Sequence, residues 1–221
     1  MDVNDDFVFE TIVVYIHGGG FIALSSDTVQ TYTRRWANEL KVPIFCINYR
    51  KPPEYRFPTA AYDCLAAYEF IVEELHRYMN VRPKNIILAG DSAGGNLVCS
   101  LQAMLLQKQY PVLPKGMLLV YPAVDLRVRF TPSRLNSFND PILLPPLLLL
   151  CLEEYLGDRE AQSDPLASPI LLNQKFIEEG DLFGYRRYSR EEEADWPKNW
   201  PKTVIMVGKK DPLYDDSLRL L

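Results

Sequence analysis

The sequence reads as an α/β protein, a mostly parallel, doubly wound sheet with a cap insertion. Three observations point there. Five short apolar runs recur along the 221 residues. The stretches between them carry apolar residues at helical spacing. One long proline-rich stretch, at about 125–172, breaks that alternation. Strands separated by helices of this length need right-handed crossovers, which put strands parallel and helices on both faces.

The elements follow in order. Thr11 to Ile16 is β-branched and apolar and stops at three glycines, as a buried strand would. Asp27 to Leu40 has helical spacing at Val29, Tyr32, Trp36 and Leu40. Pro43 to Tyr49 is a second strand. Thr59 to Met79 presents Leu65, Tyr68, Ile71, Val72 and Leu75 on one helical face. Asn85 to Ala89 is a third strand, and Ala93 to Gln109 a helix with Leu97, Leu101, Met104 and Leu105 on one side. Gly116 to Tyr121 and Thr203 to Val207 complete the strands, and a helix begins at Asp215. Within the insertion, Pro146 to Leu156 is expected to be helical and to lie over the carboxyl edge of the sheet. A second, charged insert spans about 173–202, with Glu191, Glu192, Glu193 and Asp195 close together, and reads as a solvated loop. One domain across 1–221 is expected. Ligands of such sheets bind beyond the carboxyl ends of the strands, so the loops there are where chemistry belongs.

Composition excludes several classes. An apolar content of 48% with 24% charged residues is globular, not disordered or collagenous. A net charge of −5 leaves no basic excess to displace counterions from nucleic acid. Two histidines, His17 and His76, leave little for a histidine-built metal site. Cys46, Cys64, Cys99 and Cys151 are widely spaced, which fits a reducing, cytoplasmic setting better than a disulfide framework. The acidic start, Met1 to Glu10, does not read as a signal peptide. The longest apolar run, Ile142 to Leu152, holds two prolines and is too short to span a bilayer.

Three motifs carry chemistry. Gly90-Asp91-Ser92-Ala93-Gly94-Gly95-Asn96 follows a strand and precedes a helix, with the pattern G-x-S-x-G. Small residues there permit a turn so tight that Ser92 projects from the sheet edge, while the helix aims N–H groups at the same place. The plainer alternative is that Ser92 caps the helix. His17-Gly18-Gly19-Gly20 ends the first strand. Unshielded N–H groups of Gly18, Gly19 or Gly20, with that of Ala93, could hold the oxyanion of a tetrahedral intermediate. One such donor is worth about 2.7–4 kcal/mol of transition-state stabilisation. A Walker-type phosphate loop needs a Lys-Ser or Lys-Thr pair that does not follow, and the dinucleotide pattern G-x-G-x-x-G is not met. Asp211-Pro212-Leu213, past the last strand, supplies a carboxylate in the order Ser then acid. An Asp-Pro turn is the alternative. Asp215 and Asp216 look like helix-capping residues.

With these residues in place the chain resembles the hormone-sensitive lipase family of α/β-hydrolases. The matching stretches are His17-Gly-Gly-Gly-Phe21, Tyr49-Arg50, Pro53-Glu54, Phe57-Pro58, Gly90 to Leu97, Tyr121-Pro122, Ser168-Pro169 and Asp211-Pro-Leu-Tyr-Asp-Asp216. Thr131 to Leu135 and Asp140 to Leu143 look more like the eukaryotic lipase than the bacterial esterases. The resemblance implies Ser92 as nucleophile, Asp211 as triad acid and His17 as part of the oxyanion motif. It implies carboxylic esters, acylglycerols among them, as substrates, and no cofactor or metal. The partners it implies are a small-molecule or lipid ester and peripheral contact with a lipid surface, with no nucleic acid and no transmembrane segment.

The sequence departs from that pattern in one respect. The family's catalytic histidine lies a few tens of residues beyond the acid, and here no histidine follows His76. His17 belongs to the oxyanion motif. His76 is expected near the end of a helix antiparallel to the strands, at the opposite edge from Ser92. The chain therefore resembles the middle of the domain, cut at both ends, and alone is expected to be nearly inactive. Loss of the base lowers a serine hydrolase on the order of 10⁶-fold in turnover. A receptor-like, non-catalytic member of the same fold and an inactive truncated product are the alternatives. Finally, Arg186-Arg187-Tyr188-Ser189 has the spacing of a basophilic kinase site.

Overall fold

A computed structural model describes residues 8–172 and 200–221. The charged insert and the Ser189 motif lie almost wholly outside the described residues. Among those, the strands are β1 (Phe9–Ile16), β2 (Ile44–Ile47), β3 (Val81–Asp91), β4 (Gly116–Val120) and β5 (Lys202–Met206). They form one sheet in the order β2-β1-β3-β4-β5, and every neighbouring pair is parallel. The helices are α1 (Gln30–Leu40), α2 (Thr59–Glu73), α3 (Ala93–Gln107), the single turn α4 (Pro132–Leu135), α5 (Pro145–Leu156) and α6 (Tyr214–Leu220).

The alternation of side chains across each strand explains why the runs read as continuously apolar. Ile12, Val14 and Ile16 of β1, with Ile86 and Leu88 of β3 and Met117 and Leu119 of β4, join the large core that holds α2 and α3. Val13 and Tyr15 of β1, Ala89 of β3 and Leu118 of β4 face the other way, onto Val29, Tyr32 and Trp36 around α1. Both faces are covered, so neither shows a polar period. The outer strand β5 differs. Its Ile205 packs on the large core while Val204 and Met206 are exposed.

The two largest boundary shifts are in α2 and β3. The α2 helix ends at Glu73, and Leu75–Arg77 forms a 3₁₀ turn in place of the expected continuation to Met79. The third strand starts at Val81, before its apolar run. Val81 pairs with Phe9, and the register then shifts before Asn85 meets Thr11. α5 obeys its local signals, with Pro145 and Pro146 in the first turn and left-handed Gly157 ending it.

The segment after β4 lies across the carboxyl edge. Tyr155 of α5 stacks on Phe21 of the first loop at 3.9 Å. Asn96 of α3 donates to the carbonyls of Ala123 and Ala167 at 2.7 and 2.8 Å, tying the two ends of the segment together. Ser133 Oγ reaches the Pro212 carbonyl at 2.9 Å.

Candidate active site

Ser92 occupies a strained backbone, with φ 52° and ψ −118°, between the end of β3 and the start of α3. A non-glycine residue persists there only when its surroundings enforce it. They do so through the backbone. Ser92 N–H donates to Val120 O at 2.9 Å, and Ser92 O accepts from Asn96 and Ala123, each at 3.2 Å. The hydroxyl makes no capping bond to α3, so the capping alternative does not hold. A Cβ on Gly90 would lie 2.7 Å from the Gly94 carbonyl, and one on Gly94 only 2.0 Å from Ile16 O. The ends of β3, α3 and β1 thus touch backbone to backbone, and the two glycines of G-x-S-x-G are the residues that permit it.

The glycine loop sits beside this turn. Gly19 and Gly20 adopt φ 105° and 61°. Gly18 N–H donates to Asp91 Oδ1 at 3.0 Å. That N–H is therefore committed, which narrows the expected donor set to Gly19 and Gly20. Neither of their N–H groups takes an acceptor among the described residues. Ala93 opens α3, where an N–H has no intrahelical acceptor. His17 is fully buried and stacks on Tyr49 at 4.4 Å. Its Nδ1 lies 2.6 Å from Gly18 O, and Tyr49 OH donates to the His17 carbonyl at 3.1 Å. Burial holds the imidazole below the usual histidine range. His17 thus braces the loop as a neutral ring facing its own backbone.

Asp91 was not singled out by the sequence, although it stands beside Ser92. Its Oδ1 also accepts from Tyr15 OH at 2.7 Å, and Tyr15 OH lies 3.1 Å from Tyr32 OH. One carboxylate therefore links the serine turn, the glycine loop and the α1 face.

Asp211 lies on the turn after β5, with β4 between it and the serine-bearing strand. Its N–H donates to Gly208 O at 3.0 Å, and its Oδ1 accepts Leu213 N–H at 2.8 Å. The carboxyl is half-buried. Burial raises it above the usual aspartate value, and the charge of Asp140 adds to the effect. Tyr121, next after β4, feels both Asp91 and Asp211. His76 is exposed in the 3₁₀ turn leading into β3, at the amino edge of the sheet and away from Ser92.

Asp215 and Asp216 are not caps, because the residue at the α6 N-cap is Leu213. They face the α4 turn instead. Asp215 Oδ2 accepts Ser133 N–H at 2.7 Å, and Asp216 Oδ2 accepts from Arg134 at 2.9 Å. Asp125, 1% exposed, accepts from Arg127 and Arg219. Arg127 pulls its carboxyl down to about 2 despite burial. This cluster fastens the Asp211 turn and α6 to the segment after β4. Among the described residues no group of His, Cys, Asp or Glu is placed to hold a metal. No described helix is long and apolar enough to cross a membrane.

Comparison with known proteins meets the same elements. A family model described as alpha/beta hydrolase fold matches residues 13–221. The chain belongs to the alpha/beta hydrolase fold family. Within that family it is similar to mouse hormone-sensitive lipase, 42% identical over 147 residues, which is 66% of this chain and 19% of the lipase. It is 30% identical to an ethyl acetate hydrolase of Pseudomonas putida over 97% of this chain and 60% of that protein. Among solved structures, a hyperthermophilic esterase from Pyrobaculum calidifontis superposes with a TM-score of 0.79 at 29% identity, covering 96% of this chain and 61% of the esterase. This alpha/beta hydrolase chain therefore matches about a fifth of the mouse lipase and about three fifths of the two esterases.

Proposed function

We propose that this chain carries the nucleophile side of a carboxylic ester hydrolase site that acts on small-molecule or lipid esters. The single observation behind it is Ser92, held in a strained turn with its hydroxyl uncommitted, beside the free N–H groups of Gly19 and Gly20. Ser92 Oγ attacks the ester carbonyl carbon and its proton leaves to a base. The carbonyl oxygen becomes an oxyanion between Gly19, Gly20 and Ala93 N–H groups. Collapse expels the alcohol, and water releases the acid in a second round. Gly18 supports the loop through Asp91 without donating to the oxyanion. Asp211 orients the base.

That base is an imidazole which residues 1–221 do not supply. His17 is buried against its own loop, and His76 is at the far edge. Without it, roughly 10³–10⁴ over water remains from the oxyanion hole and binding. The segment 125–172 acts as the cap, because it covers the carboxyl edge through Tyr155 and Ser133. The four cysteines, all free, support a reducing, cytoplasmic setting.

Hydrolysis of p-nitrophenyl butyrate by the 221-residue chain tests this. Slow turnover raised by added imidazole, and absent from Ser92→Ala, is expected. Ordinary enzyme turnover without imidazole would refute the missing base. Imidazole-dependent turnover equal in Ser92→Ala would refute the nucleophile. Ester binding with no Ser92-dependent turnover at all would favour a receptor-like protein.

A further inference from the structure

We propose that Tyr15, Tyr32 and Asp91 form a latch that positions the glycine loop: a tyrosine pair closes the loop's two ends onto the Asp91 carboxylate, which sets where the Gly19 and Gly20 N–H groups point. The proposal rests on the ester-hydrolase reading, to which it adds two tyrosines that lie in none of the three motifs. The loop that begins at His17 leaves β1 and enters α1. Tyr15 stands just before it and Tyr32 just after it, in the first turn of α1, and their hydroxyls lie 3.1 Å apart. Tyr15 is the register partner of Ala89 in β3. Asp91 comes two residues later, so alternation puts its side chain on the same sheet face, one step towards the carboxyl edge. The Tyr15 hydroxyl reaches it at 2.7 Å. Trp36 packs on both rings, at 5.9 Å from Tyr15 and 5.0 Å from Tyr32.

Proton count gives the latch a direction. A phenol has one O–H to donate. Tyr15 gives its own to Asp91, so Tyr32 is the donor between the two tyrosines. Donors therefore run from Tyr32 to Tyr15 to Asp91 Oδ1, and Gly18 N–H meets the same oxygen at 3.0 Å. Bonds in such a chain strengthen one another, and those to a carboxylate are the strong ones. Burial and the Asp91 charge hold the Tyr15 hydroxyl far above the usual phenol range, which keeps it a donor. The steric fit agrees. A Cβ on Gly18 would lie 2.3 Å from Asp91 Oδ2, so the carboxylate fills the space that a side chain would need. Gly19 and Gly20 follow at φ 105° and 61°, conformations in which a glycine has many alternatives. Pinning Gly18 is what gives the next two N–H groups one direction.

Hydrogen exchange and hydrolysis by the 221-residue chain test the latch together, with melting temperatures to confirm that each variant folds. The Gly18 amide, followed by NMR, should exchange about tenfold faster in Tyr15→Phe, the worth of one hydrogen bond to a charged group, and faster still in Asp91→Ala. Tyr32→Phe, one bond further away, should change it least. Imidazole-dependent hydrolysis of p-nitrophenyl butyrate should fall in the same order. The fall should be in kcat, with KM within about twofold, and reach about a hundredfold in Asp91→Ala, the effect of one lost oxyanion donor. Asp91→Asn keeps an oxygen that accepts from both donors and should recover at least about tenfold of that loss. The thiono analogue of the ester reads the oxyanion hole itself, because sulfur is a weak acceptor. The rate ratio of ester to thionoester should drop in Tyr15→Phe and Asp91→Ala, whereas a smaller folded fraction lowers both rates alike. Gly18 exchange unchanged in Asp91→Ala overturns the latch. Faster exchange with an unchanged ester-to-thionoester ratio overturns its positioning role. Absence of Ser92-dependent hydrolysis from every form sinks the ester-hydrolase reading, and the exchange rates then still decide whether Tyr15 and Asp91 hold the loop.

Discussion

Arg134→Met should destabilise the fold in a pH-dependent way. Arg134 is 10% exposed and donates to Arg127 O at 2.9 Å, Asp125 O at 2.6 Å and Asp216 Oδ2 at 2.9 Å. Asp216 is fully buried, and burial pushes its carboxyl up to about 6 against the pull of Arg134. Its folded pKa thus exceeds the unfolded value near 3.9. The folded state holds this proton more tightly, so stability is greatest at low pH and declines as pH rises through about 4 to 6. Removing Arg134 takes away what favours the anion. The pKa climbs further and the decline continues towards neutral pH, at about 1.4 kcal/mol per unit of climb. At pH 5 Asp216 is mostly protonated with or without Arg134. The loss there comes from two carbonyls left without a donor, about 2 kcal/mol. At pH 8 the broken buried pair adds to it, for a total of about 4 kcal/mol. Asp125, held at about 2, does not titrate in this window. Urea unfolding of the unaltered chain, Arg134→Met, Asp216→Asn and the double variant measures both terms. The coupling between the two sites should be clear at pH 8 and small at pH 5. Equal losses at the two pH values, or a coupling below about 0.5 kcal/mol at pH 8, would refute the reasoning.

Ser92→Gly should raise the melting temperature by about 3 °C. Relief of about 2 kcal/mol of backbone strain exceeds the roughly 1 kcal/mol entropic cost of glycine, and the hydroxyl caps nothing. A lower melting temperature by calorimetry would mean that the φ of 52° is not strained in this setting. Gly94→Ala should lose about 3 kcal/mol or more in urea unfolding, because its Cβ would meet the Ile16 carbonyl at 2.0 Å and backbone cannot step aside as a side chain can. A loss under about 1 kcal/mol would show that α3 can move off β1.

What was legible in the sequence is what nearest neighbours decide. The strands could be read because burial on two faces leaves each run apolar without interruption, as β1 shows with Ile12, Val14 and Ile16 on one side and Val13 and Tyr15 on the other. The serine turn could be read because the close contact of Gly90, Gly94 and Ile16 forbids side chains at fixed spacing around Ser92. The position of Asp211 is of another kind. It depends on Asp216 meeting Arg134 across 82 residues and on Arg219 meeting Asp125 across 94, both between irregular segments that have no period to read. From sequence alone Asp215 and Asp216 resemble caps, since position in a helix is local while a buried ion partner is not. Asp91 escaped for the same reason, its partner Tyr15 being 76 residues away. A motif match therefore points to Ser92 as the proposed nucleophile on local backbone grounds. It points to Asp211 as the proposed acid only if the Arg134 cluster holds the turn that carries it, which ties the proposed site's geometry to the pH-dependent coupling argued above.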